Sequence, residues 1–205
     1  MTGVEIAVFA RAPVAGQAKT RLIPLLGAEG AAALQARLLQ AALAKASALP
    51  GATCTLWAAG DADHPAITAV AAQRRIPVAA QVGDDLGQRM QHAMAVALSQ
   101  HAGCLIIGTD CPALTTAHLA EAATALQTHD VVLGPAEDGG YVLIGLTRPR
   151  PDLFEGIAWG SSTVLAATRQ RIGAAGLRLH ELPALPDLDT PEDYRHAQAQ
   201  GWLPA

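Results

Sequence analysis

Short apolar runs alternate with longer segments of helical period along almost the whole chain, and nothing else in the sequence restricts the fold as much. Residues 4–10 form a short apolar run bounded by an arginine and a Pro/Gly-containing loop, the pattern of a buried strand. Residues 29–49 follow with Leu34, Leu38, Leu39, Ala42 and Leu43 at helical spacing, and Pro50-Gly51 closes the segment. The alternation continues with strand-like 53–59, helical 64–75, a short strand at 77–81 and a helix over 86–100. Residues 104–108 give the clearest buried strand, and a helix over 116–127 follows it. Strands at 131–133 and 141–146 flank a glycine-rich turn. A helix over 162–172, a strand over 177–182 and a closing helix after Pro191 complete the order. Such alternation predicts a mostly parallel mixed sheet with helices on both faces, a three-layer α/β/α sandwich. With 205 residues and no repeat or linker, one domain is the simplest organisation.

Hydrophobic residues make up 51% and aromatics 3%, so the core must be aliphatic side chains packed against alanine. No apolar run approaches the ~20 residues of a membrane span, and the first residues lack a signal-type pattern. The expectation is a soluble, cytoplasmic protein with no membrane span. A net charge of -4 with no basic cluster argues against a nucleic-acid partner. Cys54, Cys104 and Cys111 lack metal-ligand spacing and read as apolar thiols in or beside strands. The histidines are scattered, and no nucleophile elbow of the Gly-x-Ser-x-Gly type occurs.

In parallel sheets, ligands sit beyond the carboxyl ends of the strands. Several unusual polar segments fall there. Arg11-Ala-Pro-Val-Ala-Gly16-Gln-Ala-Lys19-Thr20-Arg21 follows the first strand directly. Gly16 would permit close backbone approach while Lys19 and Arg21 neutralise phosphate oxygens; the alternative is a pair of solvated loop cations. The spacing matches neither the phosphate loop GxxxxGK[ST] nor GxGxxG. In Gly108-Thr109-Asp110-Cys111-Pro112 a carboxylate stands one step beyond a buried strand. There it could hold Mg²⁺ or Mn²⁺, or else cap a helix, although Thr115 or Thr116 is the better cap. In Pro186-Asp187-Leu188-Asp189-Thr190-Pro191-Glu192-Asp193, Asp187 and Asp189 alternate on an extended segment and would point the same way. Either could supply a second metal carboxylate, while Glu192 and Asp193 read as a helix start. Glu137-Asp138-Gly139-Gly140 is either a plain hairpin turn or an acceptor-binding loop. Trp159 and the hydroxyls up to Ser162 and Thr163 mark either an anion-holding helix start or ordinary capping.

Taken in order, these segments resemble the glycosyltransferase-A-like, nucleotide-diphospho-sugar transferase superfamily. Within it, the chain looks like the radical SAM/selenodomain-associated transferase family. The resemblance runs through residues 9–22, 81–90, 107–112, 134–145, Trp159 with its hydroxyls, and 187–193. Arg11 stands where lysine is commoner, and Gly160-Ser161-Ser162 replaces a shorter Trp-Ser-Thr pattern. The resemblance implies a glycosyltransferase-A-like, Rossmann-like fold and a nucleotide or nucleotide sugar over the first strands. By it, Phe9, Gly16, Lys19, Thr20, Arg21, Gly83, Gly87 and Arg89 would bind the nucleotide. Lys19, Arg21 and Asp110 would be catalytic, and Asp110 and Asp189 would hold Mg²⁺ or Mn²⁺. Asp138, Gly139, Gly140, Trp159 and Ser162 would line the side that takes a small-molecule acceptor or sugar.

Two chemistries fit such a site. Nucleotidyl transfer from an NTP to a phosphorylated small molecule needs cations on the outer phosphates, and the first loop looks similar to that of 2-phospho-L-lactate guanylyltransferase and molybdenum-cofactor nucleotidyltransferases. Glycosyl transfer from a nucleotide-diphospho-sugar commonly uses an Asp-x-Asp metal motif, whereas Gly108-Thr109-Asp110 offers one carboxylate. That contrast tilts the expectation modestly towards nucleotidyl transfer. A nucleotide-binding protein without turnover is the remaining class.

Overall fold

The computed structural model describes residues 3–204. Seven strands form one sheet: β1 (Val4–Arg11), β2 (Thr53–Ala59), β3 (Val78–Ala80), β4 (Gly103–Ile107), β5 (Val131–Pro135), β6 (Tyr141–Leu146) and β7 (Leu179–Glu181). Their order across the sheet is β3-β2-β1-β4-β6-β5-β7. Among the described residues, six α-helices pack around it: α1 (Ile23–Ser47), α2 (Pro65–Arg74), α3 (Leu86–Leu98), α4 (Thr116–Ala125), α5 (Val164–Ala174) and α6 (Pro191–Ala199). The mostly parallel mixed sheet expected from the alternation is what forms.

One strand breaks the parallel pattern, for a local reason. Only a five-residue turn separates β5 from β6, too short for the crossover that parallel neighbours require. The two therefore pair antiparallel as a hairpin, and β6 inserts between β4 and β5, antiparallel to both.

Successive side chains of β1 serve opposite faces, as strand period demands. Ile6, Val8 and Ala10 join one core with Leu39 and Leu43 of α1, Ile67 of α2 and Leu119 of α4. Ala7 and Phe9 join the other with Met90 and Met94 of α3 and Leu165 and Ile172 of α5. A third cluster, Leu22, Leu34, Leu38, Leu188 and Ala197, ties the start of α1 to the last helix.

The first helix differs from its sequence reading. A 3-10 turn at Thr20–Leu22 leads into α1 six residues earlier than the spacing indicated, with Pro24 in its first turn. Gly27 breaks it at φ 71° and ψ 167°. Together the turn and α1 form one helix long and apolar enough, by length and composition, to cross a membrane, where no such run had been read. Its leucines at 34, 38, 39 and 43 are buried against the sheet and α6, the position of a core helix.

Candidate functional site

Three chain segments far apart in sequence meet beyond the carboxyl ends of β1 and β4. The first is the loop after β1. Gly16 turns there at φ 79° with open space on its Cβ side, and Lys19 adopts the left-handed conformation at φ 46°, ψ 47°. That conformation costs a non-glycine residue about 1–3 kcal/mol. It accompanies a side chain that is only 4% exposed.

The second segment is the end of β4. Asp110 Oδ1 lies 2.9 Å from Lys19 Nζ and accepts a hydrogen bond from Thr109 Oγ1 at 3.2 Å. Thr109 in turn accepts from Gln35 Nε2 of α1 at 3.1 Å, and both residues are buried. Asp110 does not cap a helix. Thr115 caps α4 in a capping box with His118.

The third segment precedes α6. Leu188 donates its backbone N–H to the Asp110 carbonyl at 2.8 Å, which docks residues 186–190 beside β4. Lys19 Nζ then donates to the Leu188 carbonyl and, at 3.1 Å, to Asp189 Oδ1. Arg21, exposed at the mouth, brings Nη1 within 3.8 Å of Asp189 Oδ2. The helix start expected here is present: Thr190 caps α6, and Asp193 accepts from the amides of Thr190 at 2.7 Å and Asp189 at 3.0 Å.

These residues line one end of an open cleft of about 1030 Å³. Of the residues predicted for nucleotide and catalysis, Phe9, Lys19, Thr20, Arg21, Arg89, Asp110 and Asp189 all line it. Gly16, Gly83 and Gly87 do not. An added Cβ at Gly83, itself at φ 137°, would stand 2.6 Å from Gln88 Cβ, and one at Gly87 would stand 2.8 Å from Trp159 Nε1. The glycine requirement at 83 and 87 thus comes from packing of and against α3, and at 16 from the turn. Sequence reasoning missed Gln35, Asp61, His64 and Gln81, which also line the cleft. Gln35 carried a usable signal, a polar residue between Leu34 and Leu38 on an apolar face. The others sit in loops or at element ends with no periodicity to mark them.

The residues expected on the acceptor side come together, but away from the cleft wall. An Asx turn with Asp138 Oδ1 accepting from the Gly140 amide at 2.8 Å forms the β5–β6 turn. Gly139 abuts the Ser162 backbone, and its carbonyl accepts from the Leu165 amide at 2.9 Å, satisfying a donor in the first turn of α5. Thr163 makes no side-chain cap. Trp159 stacks on Phe154 and meets Tyr141 edge-on, part of the packed face under α3 and α5. Asp138, Gly139, Gly140, Trp159 and Ser162 therefore build the hairpin's junction with α5 and line neither this cleft nor the smaller cavity beside it.

That cavity, about 280 Å³, takes Asp187, with Glu137, Glu192 and His196. Asp187 and Asp189 thus line separate hollows, against the expectation that both face one way, and Asp189 alone joins Asp110 and Lys19. Burial first, then the neighbouring carboxylates of Asp138 and Asp189, push the Asp187 carboxyl up from 3.8 to about 6. Between those values the folded chain holds a proton that the unfolded chain has released, so stability falls as pH rises through the window. The melting midpoint is expected to drop from pH 4 to pH 6 on this account, and Asp187→Asn to remove that part of the slope. Thermal melts of the two proteins across this range check it; parallel curves would show that another group is responsible.

Among the described residues, no three His, Cys, Asp or Glu side chains converge as a metal centre. Two carboxylates do converge, and Mg²⁺-type ions are commonly held by one or two carboxylates with water and substrate phosphates completing the shell. The donor set of Asp110 and Asp189 fits such an ion. The thiols are unpaired, with burial raising Cys111 to about 11 and Cys54 to about 12, and none lines the cleft.

A family model described as an uncharacterized protein conserved in bacteria (DUF2064) matches residues 32–161, well over half of the chain. Among solved structures, the chain is similar to a protein of Desulfovibrio desulfuricans G20 provisionally assigned as a nucleotide-diphospho-sugar transferase. That likeness has 35% identity and a TM-score of 0.88, over 97% of this chain and 89% of that one. A nucleotidyl transferase of Methanothermobacter thermautotrophicus shares the fold at 14% identity and a TM-score of 0.65, over 98% of both chains. So does Mycobacterium tuberculosis H37Rv Rv0371c, solved with manganese, at 18% identity and 0.61, over 95% of this chain and 97% of that one. No curated protein matches.

Proposed function

The chain belongs to the DUF2064 family of bacterial proteins, and from that membership and the cleft we propose a metal-dependent, nucleotide-using transferase. The preferred reaction is nucleotidyl transfer from an NTP to a phosphorylated small molecule, in the cytoplasm. The observation that carries it is the meeting of Lys19, Asp110 and Asp189 at one end of a cleft large enough for a nucleotide. A transferring phosphate needs its charge neutralised where it develops, and a site rich in both cations and carboxylates suits that need.

Asp110 and Asp189 would hold Mg²⁺ or Mn²⁺, which would supply Lewis-acid stabilisation of phosphate oxygens. Arg21 stands exposed at the mouth, and Arg11 and Arg89 line the same cleft. They would meet the triphosphate and draw it inward. Lys19 is already ringed by three oxygens, as many as an ammonium has donors, so its first task is to hold the two carboxylates together. Phe9 lines the same cleft as Gln81 and Arg89 and would offer an apolar surface to a base. The acceptor would approach from the side of the smaller cavity, next to Pro112 and Glu137.

Glycosyl transfer from a nucleotide-diphospho-sugar is the second reading, favoured by the Desulfovibrio relative's assignment. The lone carboxylate in Gly108-Thr109-Asp110 favours the first. Thermal-shift measurements with NTPs and nucleotide sugars, each with and without Mg²⁺ or Mn²⁺, separate them, because a ligand that binds the folded state raises the midpoint by mass action. Metal-dependent stabilisation by one NTP is the expected result. Stabilisation by a nucleotide sugar alone would move the assignment to glycosyl transfer, and silence throughout would overturn both.

A further inference from the structure

Gln35 is a polar residue in an apolar setting. It lies on α1 beside Leu34 and Leu38, both buried, and is itself 6% exposed. Its Nε2 donates to Thr109 Oγ1 at 3.1 Å, and Thr109, also 6% exposed, donates to Asp110 Oδ1 at 3.2 Å. The polarity of this chain follows from its acidic end. A carboxylate only accepts, so the single hydroxyl proton of Thr109 goes to Asp110, and Gln35 must then face the hydroxyl with its amide nitrogen. Asp110 Oδ1 is consequently held from two sides, by Thr109 and by Lys19 at 2.9 Å.

We propose that Gln35, acting through Thr109, is a positioning residue for Asp110: it fixes the rotation of the carboxylate, so that Oδ1 stays with Lys19 and Oδ2 remains available to a cation in the cleft. The inference rests on the reading of Asp110 as a metal carboxylate. Its reasoning is that of outer partners in metal sites generally, which orient a ligand without touching the ion and whose loss weakens metal affinity about 10–100-fold. Three features support the role. The relay starts on a different element from the carboxylate, so α1 sets the orientation independently of the β4 loop. Gln35 also lines the cleft. And the same helix carries the leucines that hold Leu188, neighbour of Asp189, so one element braces both carboxylates.

The test is direct Mn²⁺ binding, by calorimetry or by the loss of free-ion resonance signal, with and without nucleotide. Gln35→Leu keeps the side chain's bulk among leucines and is expected to fold normally while weakening Mn²⁺ at least about tenfold. Thr109→Val is expected to match it, Thr109→Ser to retain wild-type affinity, and the Gln35→Leu/Thr109→Val double variant to be no weaker than either single change, because both cut one relay. A purely structural Gln35 would instead lower the melting midpoint and leave the folded protein's Mn²⁺ affinity unchanged; that result overturns the proposal. So does a Thr109→Ser protein as weak as Thr109→Val, which reads the relay from its other end should Gln35→Leu not fold. Wild-type protein that binds no Mn²⁺ in any condition removes the metal reading of the site and this inference with it, whereas wild-type binding matched by Gln35→Leu removes this inference alone.

Discussion

Asp110→Ala is expected to lower metal-dependent turnover by about a thousandfold or more while the protein still folds. Two arguments set the size. A Lewis-acid metal contributes several kcal/mol to the transition state, and each 1.4 kcal/mol or so is a factor of ten in rate. Removing one of the two carboxylates that converge also frees Lys19 from the closer of its two acidic partners. The fold should survive because the Asp110 side chain is 48% exposed, and the contact that docks residues 186–190 uses the Asp110 backbone carbonyl, which alanine keeps. Circular dichroism and the Leu188 environment should therefore be unchanged while activity vanishes. A variant with more than a tenth of wild-type turnover would remove Asp110 from the catalytic set.

Lys19→Met is expected to act on stability as well as on ligand affinity. Breaking a buried ion pair by removing one partner typically costs about 3–5 kcal/mol. Here the carboxylates are 48% and 42% exposed, so water screens part of their mutual repulsion, and about 1–3 kcal/mol is the reasonable expectation. For a chain of this length that corresponds to a midpoint lowered by roughly 2–12 °C. The informative arm adds Mn²⁺. If Asp110 and Asp189 share an ion, the metal takes over the neutralising task of the lost ammonium and restores much of the midpoint, whereas a chelator does not. A variant that melts like wild type in chelator, or one indifferent to Mn²⁺, would show that the three groups are not electrostatically coupled as their distances indicate.

How far the sequence foretold this arrangement depends on the range of the interaction. Strand β1, with Ile6 and Val8 serving one face and Phe9 the other, was readable because period and burial are local properties. So was α6, whose Thr190 and Asp193 make their capping box within one turn. The cleft residues Lys19, Arg21 and Asp110 were readable because each lies in the loop that leaves a strand's carboxyl end, where topology sends the loop to the ligand side. The bond between Lys19 and Asp189 was not, since it joins positions 170 residues apart and depends on how residues 186–190 dock. Asp187 illustrates the same limit: alternation placed it with Asp189, but with Leu188 buried between them the two line different hollows. Trp159 and Gly87 were assigned to ligands only through the family resemblance, since neither carries a local signal of its own contacts. In the fold the two pack against each other, the ring lying where a Cβ on Gly87 would be.

The same long reach has a consequence for the order of assembly. All seven strands lie before residue 182, so the sheet can be complete while the segment carrying Asp189 is still undocked. Until Leu188 reaches the Asp110 carbonyl and its pocket against Leu22, Leu34 and Leu38, Lys19 has one carboxylate instead of two. A chain interrupted after β7, by truncation or by a protease, would thus lose Asp189 and also uncover Leu22, Leu34 and Leu38, which Leu188 and Ala197 bury. The few residues before α6 therefore join the last helix to the cleft: the same stretch that seats Leu188 in the core sets Asp189 beside Lys19.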